Sequence, residues 1–249
     1  MHHPIYWENF LPHWLPPVVL HAVVVWAILA VIFFLAVRRL NLVPSGMQNF
    51  AEWYISFVRK YSGELIGPTH KQYDPLFLGL FFFIFASNLW GLVPGMVSPT
   101  ANLNTNLGLA LIVFLSTHYW GIRKQGFVPY MKHFTGEVPV WLKPFMFFIE
   151  LVSHIARPIS LTFRLFGNIV AKEILLLILV TLVMQFAGAN EFVGKLLIVF
   201  PVILFPLIVV LGAFVCFIQA FVFMLLAQVY IAGAVASEHD GEGVEGHAH

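Results

Sequence analysis

Several stretches of this chain stay apolar for so long that only a lipid bilayer can be their solvent. The first, Pro17 to Val37, carries no charged residue over about 21 positions, and roughly 20 helical residues cross ~30 Å of hydrocarbon. Further apolar runs occupy 76–97, 103–121, 144–188 and 193–236. Of 249 residues, 60% are apolar and only 10% are charged. Soluble domains carry roughly 25% charged residues, and a globule of this length has too little interior for so much apolar surface. The chain is expected to be an all-α integral membrane protein.

The segment between the first two runs is different. Phe50, Trp53 and Tyr54, Phe57 and Val58, and Tyr61 recur at helical spacing, with Glu52, Arg59 and Lys60 elsewhere. That pattern predicts an amphipathic helix over 46–66 lying in the membrane interface. Arg38, Arg39, Arg59, Lys60 and Lys71 fall in this connection, and Arg123, Lys124, Lys132 and Lys143 in the third one. The positive-inside rule puts both connections in the cytoplasm. Residues 1–16 become an outer tail, and five crossings return the polar, acidic 237–249 tail to the cytoplasm. No Lys or Arg precedes the first run, the reverse of a secretory signal. No internal repeat is visible, so 1–249 reads as a single membrane domain.

A net charge of +1, with no basic block interleaved with aromatics, gives no reason to expect nucleic acid. The single cysteine, Cys216, excludes an internal disulfide or a multi-cysteine metal site. No cofactor is expected. The last two runs are twice too long for a perpendicular crossing. As one helix, 45 residues measure roughly 67 Å. Either the 144–188 run breaks at Pro158, or it tilts steeply. The 193–236 run, with Pro201 and Pro206, poses the same choice. Two such helices in succession predict a tilted antiparallel hairpin.

The fifth run also holds polar residues that hydrocarbon does not tolerate alone: Glu150, Ser160, Arg164, Asn168, Lys172 and Glu173. An ionised group at membrane depth costs at least a few kcal/mol, so it needs a partner or a wet cavity. At about 100° per residue, Glu150, Arg157, Ser160 and Asn168 all lie within roughly 40° of Arg164, whereas Glu173 lies on the opposite face. Arg157 is expected to snorkel, and Gln219 in the last run is the expected hydrogen-bond partner of Arg164.

At these residues the chain resembles subunit a of the rotary (F-type) ATP synthases. The resemblance is carried by Pro158-Ile159-Ser160-Leu161-Thr162-Phe163-Arg164-Leu165-Phe166-Gly167-Asn168, by Glu173, and by Gln219-Ala220-Phe221-Val222-Phe223-Met224-Leu225. Asn88-Leu89-Trp90-Gly91-Leu92-Val93-Pro94 and Pro99-Thr100-Ala101-Asn102-Leu103-Asn104 add to it, in order, over about 75–235. The resemblance implies a stator beside a ring of c subunits, held by b-type peripheral stalk subunits in a bacterial inner membrane. It implies two proton half-channels, with sodium the less favoured ion. Arg164 becomes the essential arginine, helped by Asn168 and Gln219. Glu173 belongs to the outer half-channel, and Ser160 and Glu150 to the cytoplasmic half. Two departures stand out. Asn102 occupies a turn where many bacterial relatives have a carboxylate, and Gly212 a position titratable in some. Outer entry then falls to Asn102, Asn104, Asn106, His118 or water.

A secondary cation transporter is the nearest rival, but it usually shows repeated halves. A haem protein using His21, His118 and His154 lacks a paired, facing arrangement in the sequence. No nucleophile–base set or phosphate-binding glycine loop suggests a hydrolase.

Overall fold

The computed structural model describes residues 16–38, 41, 46–93, 96–133, 139, 141–187 and 191–236. The expected tails at 1–15 and 237–249 lie outside this set. Among the described residues there is helix and no strand: α1 (Pro17–Val37), α2 (Met47–Ile66), α3 (Asp74–Trp90), α4 (Leu103–Gln125), α5 (Phe127–His133), α6 (Lys143–Ala187) and α7 (Glu191–Val235). Single 3-10 turns at Pro68–Gln72 and Pro99–Ala101 lead into α3 and α4. In hydrocarbon every backbone N–H and C=O must be satisfied within the chain, which a helix does locally.

Among the described residues, three segments are long and apolar enough to cross a bilayer: Val18–Ala36, Lys143–Phe186 and Pro201–Val235. Asp74–Trp90 is a shorter apolar helix. It ends well before the expected 97, and the reason is local. A Cβ on Gly91 would lie 2.7 Å from the Ser98 Cβ, so the returning chain crosses where only glycine fits. The turn tightens there, with Leu92 N–H donating to Leu89 O at 3.0 Å. In α6, Pro158 does not break the helix, nor do Pro201 and Pro206 break α7; each helix is continuous over 45 residues. The helix α5 was not expected.

The contacts divide the chain into two units. The first contains the residues up to Leu40, Phe81–Asn106 and Phe163–Val222. In it, α1 packs on α3 through Trp26 on Phe83 at 5.4 Å and Phe33 on Phe82 at 4.9 Å, ring centre to ring centre. Phe217 of α7 meets Phe81 and Phe85 edge-on at 5.8 and 6.1 Å. Such tilted aromatic contacts contribute beyond area burial. Val19, Val23, Trp26, Ile28, Val31, Phe34 and Leu35 are exposed on α1, as a lipid-facing helix requires.

The second unit contains Asn41–Leu80, Leu107–Thr162 and Phe223 onward. Here α2 is two-faced. Gln48, Ala51, Tyr54, Val58 and Ser62 are buried, spaced by three and four. Phe50, Trp53, Phe57 and Tyr61 form an aromatic ladder along the other side, at 6.3, 5.7 and 5.3 Å. The buried face is pinned by Tyr54 Oη donating to Leu78 O at 2.7 Å. It is also pinned by Asp74, 1% exposed at the start of α3, which accepts from Ser62 Oγ at 2.7 Å, His70 Nδ1 at 3.0 Å and Arg59 Nε at 3.2 Å. A carboxylate in the first turn also suits the positive end of the helix dipole.

The helix α4 ends at Gly126, whose φ of +88° suits a residue without Cβ. Just before it, Gln125 Nε2 donates to the carbonyls of Ala234 at 3.0 Å and Ala236 at 2.8 Å, capping α7. Tyr130 of α5 packs with Ala234, Ile122 and Phe147. Its ring lies where a Cβ on Gly121 would stand, 2.4 Å away.

Candidate functional site

In the first unit, α6 and α7 pair antiparallel. Asn168 Nδ2 donates to Gln219 Oε1 at 2.6 Å, and one turn on, Lys172 Nζ donates to Cys216 Sγ at 3.3 Å. As the residue number rises on α6 it falls on α7 in step. Gln219 and Lys172 are 5% and 8% exposed, so these bonds sit where an unpaired polar group is expensive. Lys172 Nζ also donates to Asn88 O of α3 at 2.9 Å, tying three helices together.

Arg164 is exposed on α6, one turn before Asn168. Its guanidinium takes part in no ion pair or hydrogen bond among the described residues. The expected bond from Arg164 to Gln219 is therefore not formed; Gln219 Oε1 accepts from Asn168 Nδ2, one turn further along α6. Ser160 and Phe163 are exposed too, whereas Leu161 and Leu165 are buried. Glu173 is half-buried.

The turn before α4 is a closed polar network in the same unit. Ser98 Oγ donates to Ser87 O at 2.8 Å, Thr100 Oγ1 donates to Asn88 Oδ1 at 2.6 Å, and Asn106 Nδ2 donates to Thr100 O at 2.8 Å. Asn102 Oδ1 accepts from Asn104 N–H at 2.9 Å, an Asx-type cap on the start of α4. Gly212 is closely covered: a Cβ there would meet Leu92 Cδ2 at 2.8 Å and Lys172 Cδ at 3.6 Å, so any side chain would have to displace Leu92.

The second unit holds another group. Glu150 Oε1 accepts from His154 Nε2 at 3.2 Å and lies 3.9 Å from Arg157 Nη2. Arg157 stacks over the Tyr230 ring at 5.1 Å, so it is held by a ring and a carboxylate rather than simply snorkelling. His118 joins this group, its ring 5.3 Å from that of His154. His118 and His154 thus do face one another. They meet edge to face at 75°, leaving no gap for a porphyrin. Among the described residues no group of three His, Cys, Asp or Glu is arranged to hold a metal. Tyr130, 6.0 Å from His118, has its phenol pushed above the ordinary range by burial, partly offset by the Arg157 charge.

Comparison with known proteins bears on this arrangement directly. The family described as ATP synthase A chain matches residues 19–232. The chain belongs to the ATP synthase A chain family. Similar proteins include ATP synthase subunit a of Geobacter sulfurreducens, 44% identical over 211 residues, covering 85% of this chain and 84% of that one. ATP synthase subunit a of Aquifex aeolicus is 45% identical over 210 residues, covering 84% and 93%. ATP synthase subunit a 3 of Pelobacter propionicus is 40% identical over 248 residues, covering 96% and 100%. As a member of the A chain family the protein is a proton-translocating stator subunit of the membrane sector and not itself the catalyst. Its all-α, membrane-embedded architecture is that of the family.

Proposed function

We propose that Arg164 is the fixed positive charge against which carboxyl groups of a passing c-ring release their protons. The observation that carries this reading is the exposed guanidinium, unpaired among the described residues, beside an amide pair that has satisfied itself. A charge left unpaired among the described residues is available to another chain.

Each ring carboxyl must be neutral while it faces lipid, since a bare carboxylate there is very costly. Beside Arg164 that preference reverses. A guanidinium cannot surrender its proton in a protein, so it attracts without relaying. At about 4 Å and an effective dielectric near 20 the attraction is about 4 kcal/mol, or roughly three pKa units. The carboxyl proton leaves into the inner half-channel, on the side of Ser160 and Glu150. After passing Arg164, the carboxylate is reprotonated from the outer half-channel near Glu173, reached past Asn102 and Asn104. The same charge repels a hydrated proton that would cross directly. Voltage supplies direction at about 2.3 kcal/mol per charge per 100 mV.

Asn168 and Gln219 act as the floor beneath Arg164: their mutual bond ties the side of α6 that carries Arg164 to α7. On this reading α6 and α7 cross the membrane obliquely along the ring, the N-terminus lies outside, and the C-terminus lies in the cytoplasm of a bacterial inner membrane. The b-type stalk subunits hold the stator still, and the ion is the proton.

The test is Arg164→Ala in the whole synthase. ATP-driven acidification of inverted vesicles should vanish while ATP hydrolysis by the detached soluble head stays intact. Acidification at the wild-type rate would end the proposal.

A further inference from the structure

In the first unit, α1 carries a histidine to which the coupling scheme gives no part. His21 stands on the second turn of α1 and is 7% exposed. Trp90, the last residue of α3, donates its indole Nε1–H to His21 Nδ1 at 3.1 Å. The two rings are tilted at 54° with centres 6.2 Å apart, so the contact is this edge bond and not a stack. An indole nitrogen only donates. His21 Nδ1 therefore offers a lone pair, and the neutral ring carries its hydrogen on Nε2. A proton on Nδ1 would set one N–H against another. The bond to Trp90 and the charged imidazole exclude each other.

This bond flanks the polar turn before α4. Trp90 is followed by Gly91, where a Cβ would fall 2.7 Å from that of Ser98, and Pro99–Ala101 lies against α1. Two buried oxygens of this region, Ser87 Oγ and Asn106 Oδ1, have no hydrogen-bond partner among the described residues. Buried polar atoms are normally satisfied, by water where the chain supplies nothing, so the turn is a place that calls for water. No charged residue occurs in α1 or in 81–106, and His21 is the only titratable side chain in either. The charge that reaches this region from α6 is Lys172, whose Nζ donates to Asn88 O at 2.9 Å. From α7 come Cys216, bonded to the same Nζ, and the Phe217 ring.

We propose that His21 is the proton-sensing residue at the mouth of the outer half-channel, with its bond to Trp90 as the latch that a proton opens. This deepens the function proposed above and rests on it. With His21 neutral, Trp90 ties α1 to the end of α3 and keeps the turn shut against outer water. A proton from outer water adds to Nδ1, the indole N–H loses its acceptor, and the tie opens; loss of that proton restores it. Only an N–H bond forms and breaks. Opening lets water reach Ser87 and Asn106 and, past Asn102 and Asn104, the approach to Glu173. The outer placement follows from position: His21 lies near the end of α1 remote from Arg38 and Arg39, which the positive-inside rule puts in the cytoplasm. Acid outside, the condition that drives protons inward, is then also the condition that opens their entrance.

The experiment uses the complete synthase in inverted vesicles, whose lumen corresponds to the outer side. ATP synthesis is driven by a potassium diffusion potential, adjusted to hold the total driving force constant while lumenal pH is varied between ~8 and ~5, the range of an imidazole. The wild-type rate should step up about fivefold as the lumen is acidified, the ratio that one hydrogen bond supports. His21→Asn gives Trp90 an amide oxygen as acceptor at every pH and should hold the slow rate throughout. Trp90→Phe keeps a ring but removes the donor and should hold the fast rate throughout. A step that survives in His21→Asn overturns the latch. Equal slow rates in both variants at every pH also overturn it, leaving the contact a structural pin. Should either variant fail to assemble on a native gel, the wild type decides without turnover. The Trp90 indole 15N resonance in liposomes, assigned by sequential correlation, should shift together with protonation of the His21 ring between pH ~8 and ~5. A Trp90 resonance that stays put while His21 titrates, or a His21 ring that stays neutral throughout, overturns the latch. Synthesis that persists in Arg164→Ala counts against the coupling scheme; a flat wild-type profile with Arg164→Ala inactive counts against the latch alone.

Discussion

The Asn168–Gln219 bond offers the sharpest measure of whether α6 and α7 act together on Arg164. Its length is 2.6 Å, and Gln219 is 5% exposed. A net intramolecular hydrogen bond contributes about 1 kcal/mol, and leaving a buried partner unsatisfied costs about 1–3 kcal/mol. Replacing Gln219 with Leu strands the Asn168 amide beside Arg164, and replacing Asn168 with Ala strands Gln219. If the bond serves to tie the Arg164 side of α6 to α7, each single change should lower the ATP-driven pumping rate by about fivefold, the equivalent of ~1 kcal/mol. The double change should cost no more than the worse single one, since the bond is already gone. Initial rates of acidification in inverted vesicles, corrected for the amount of assembled synthase, give the four corners of the cycle. Rate losses that simply multiply would mean that the two side chains act independently, and the reasoning from their bond would fail.

Two further outcomes concern how the site is held. Gly91→Ala sets a Cβ 2.7 Å from that of Ser98, which is fully buried, and overpacking of this kind costs about 1–3 kcal/mol; assembled synthase on a native gel should fall, and Gly91→Ala with Ser98→Gly should restore it, whereas equal loss in both would remove the crossing as the cause. Asp74→Asn removes the charge that three donors share and should lower stability by about 2 kcal/mol, discounted for Arg59, whose side chain is 53% exposed. A drop in the thermal aggregation midpoint of the purified complex checks this, and an unchanged midpoint would show that α2 is held by Tyr54 and its apolar face alone.

The helices that could be read ahead of the structure are those that local chemistry dictates. Pro17–Val37 is helical because no charge interrupts its apolar run, and α2 because its residues alternate sides at the period of a helix. Elements set by a distant partner were not legible. The end of α3 depends on Ser98 passing over Gly91, and α5 on Tyr130 finding the bare surface of Gly121. The same distinction separates the site residues. A helical wheel places Glu150, Arg157, Ser160, Arg164 and Asn168 on one side of α6, but it has no information on the register between α6 and α7. That register, not the wheel, decides that Gln219 bonds Asn168 rather than Arg164. The meeting of His118 with His154 was hidden for a related reason: it depends on how α4 and α6 lie side by side, which neither helix's own sequence records.

The clasp of Gln125 on the last carbonyls of α7 has a practical side. Helix ends usually fray because their final carbonyls have only water to bond. Here a neutral amide, itself rooted in another helix, occupies two of them without introducing a charge. Whatever is joined after Ala236 hangs from a fixed post. A fluorophore or affinity handle placed there will report on its surroundings, not on the unwinding of the helix that carries it.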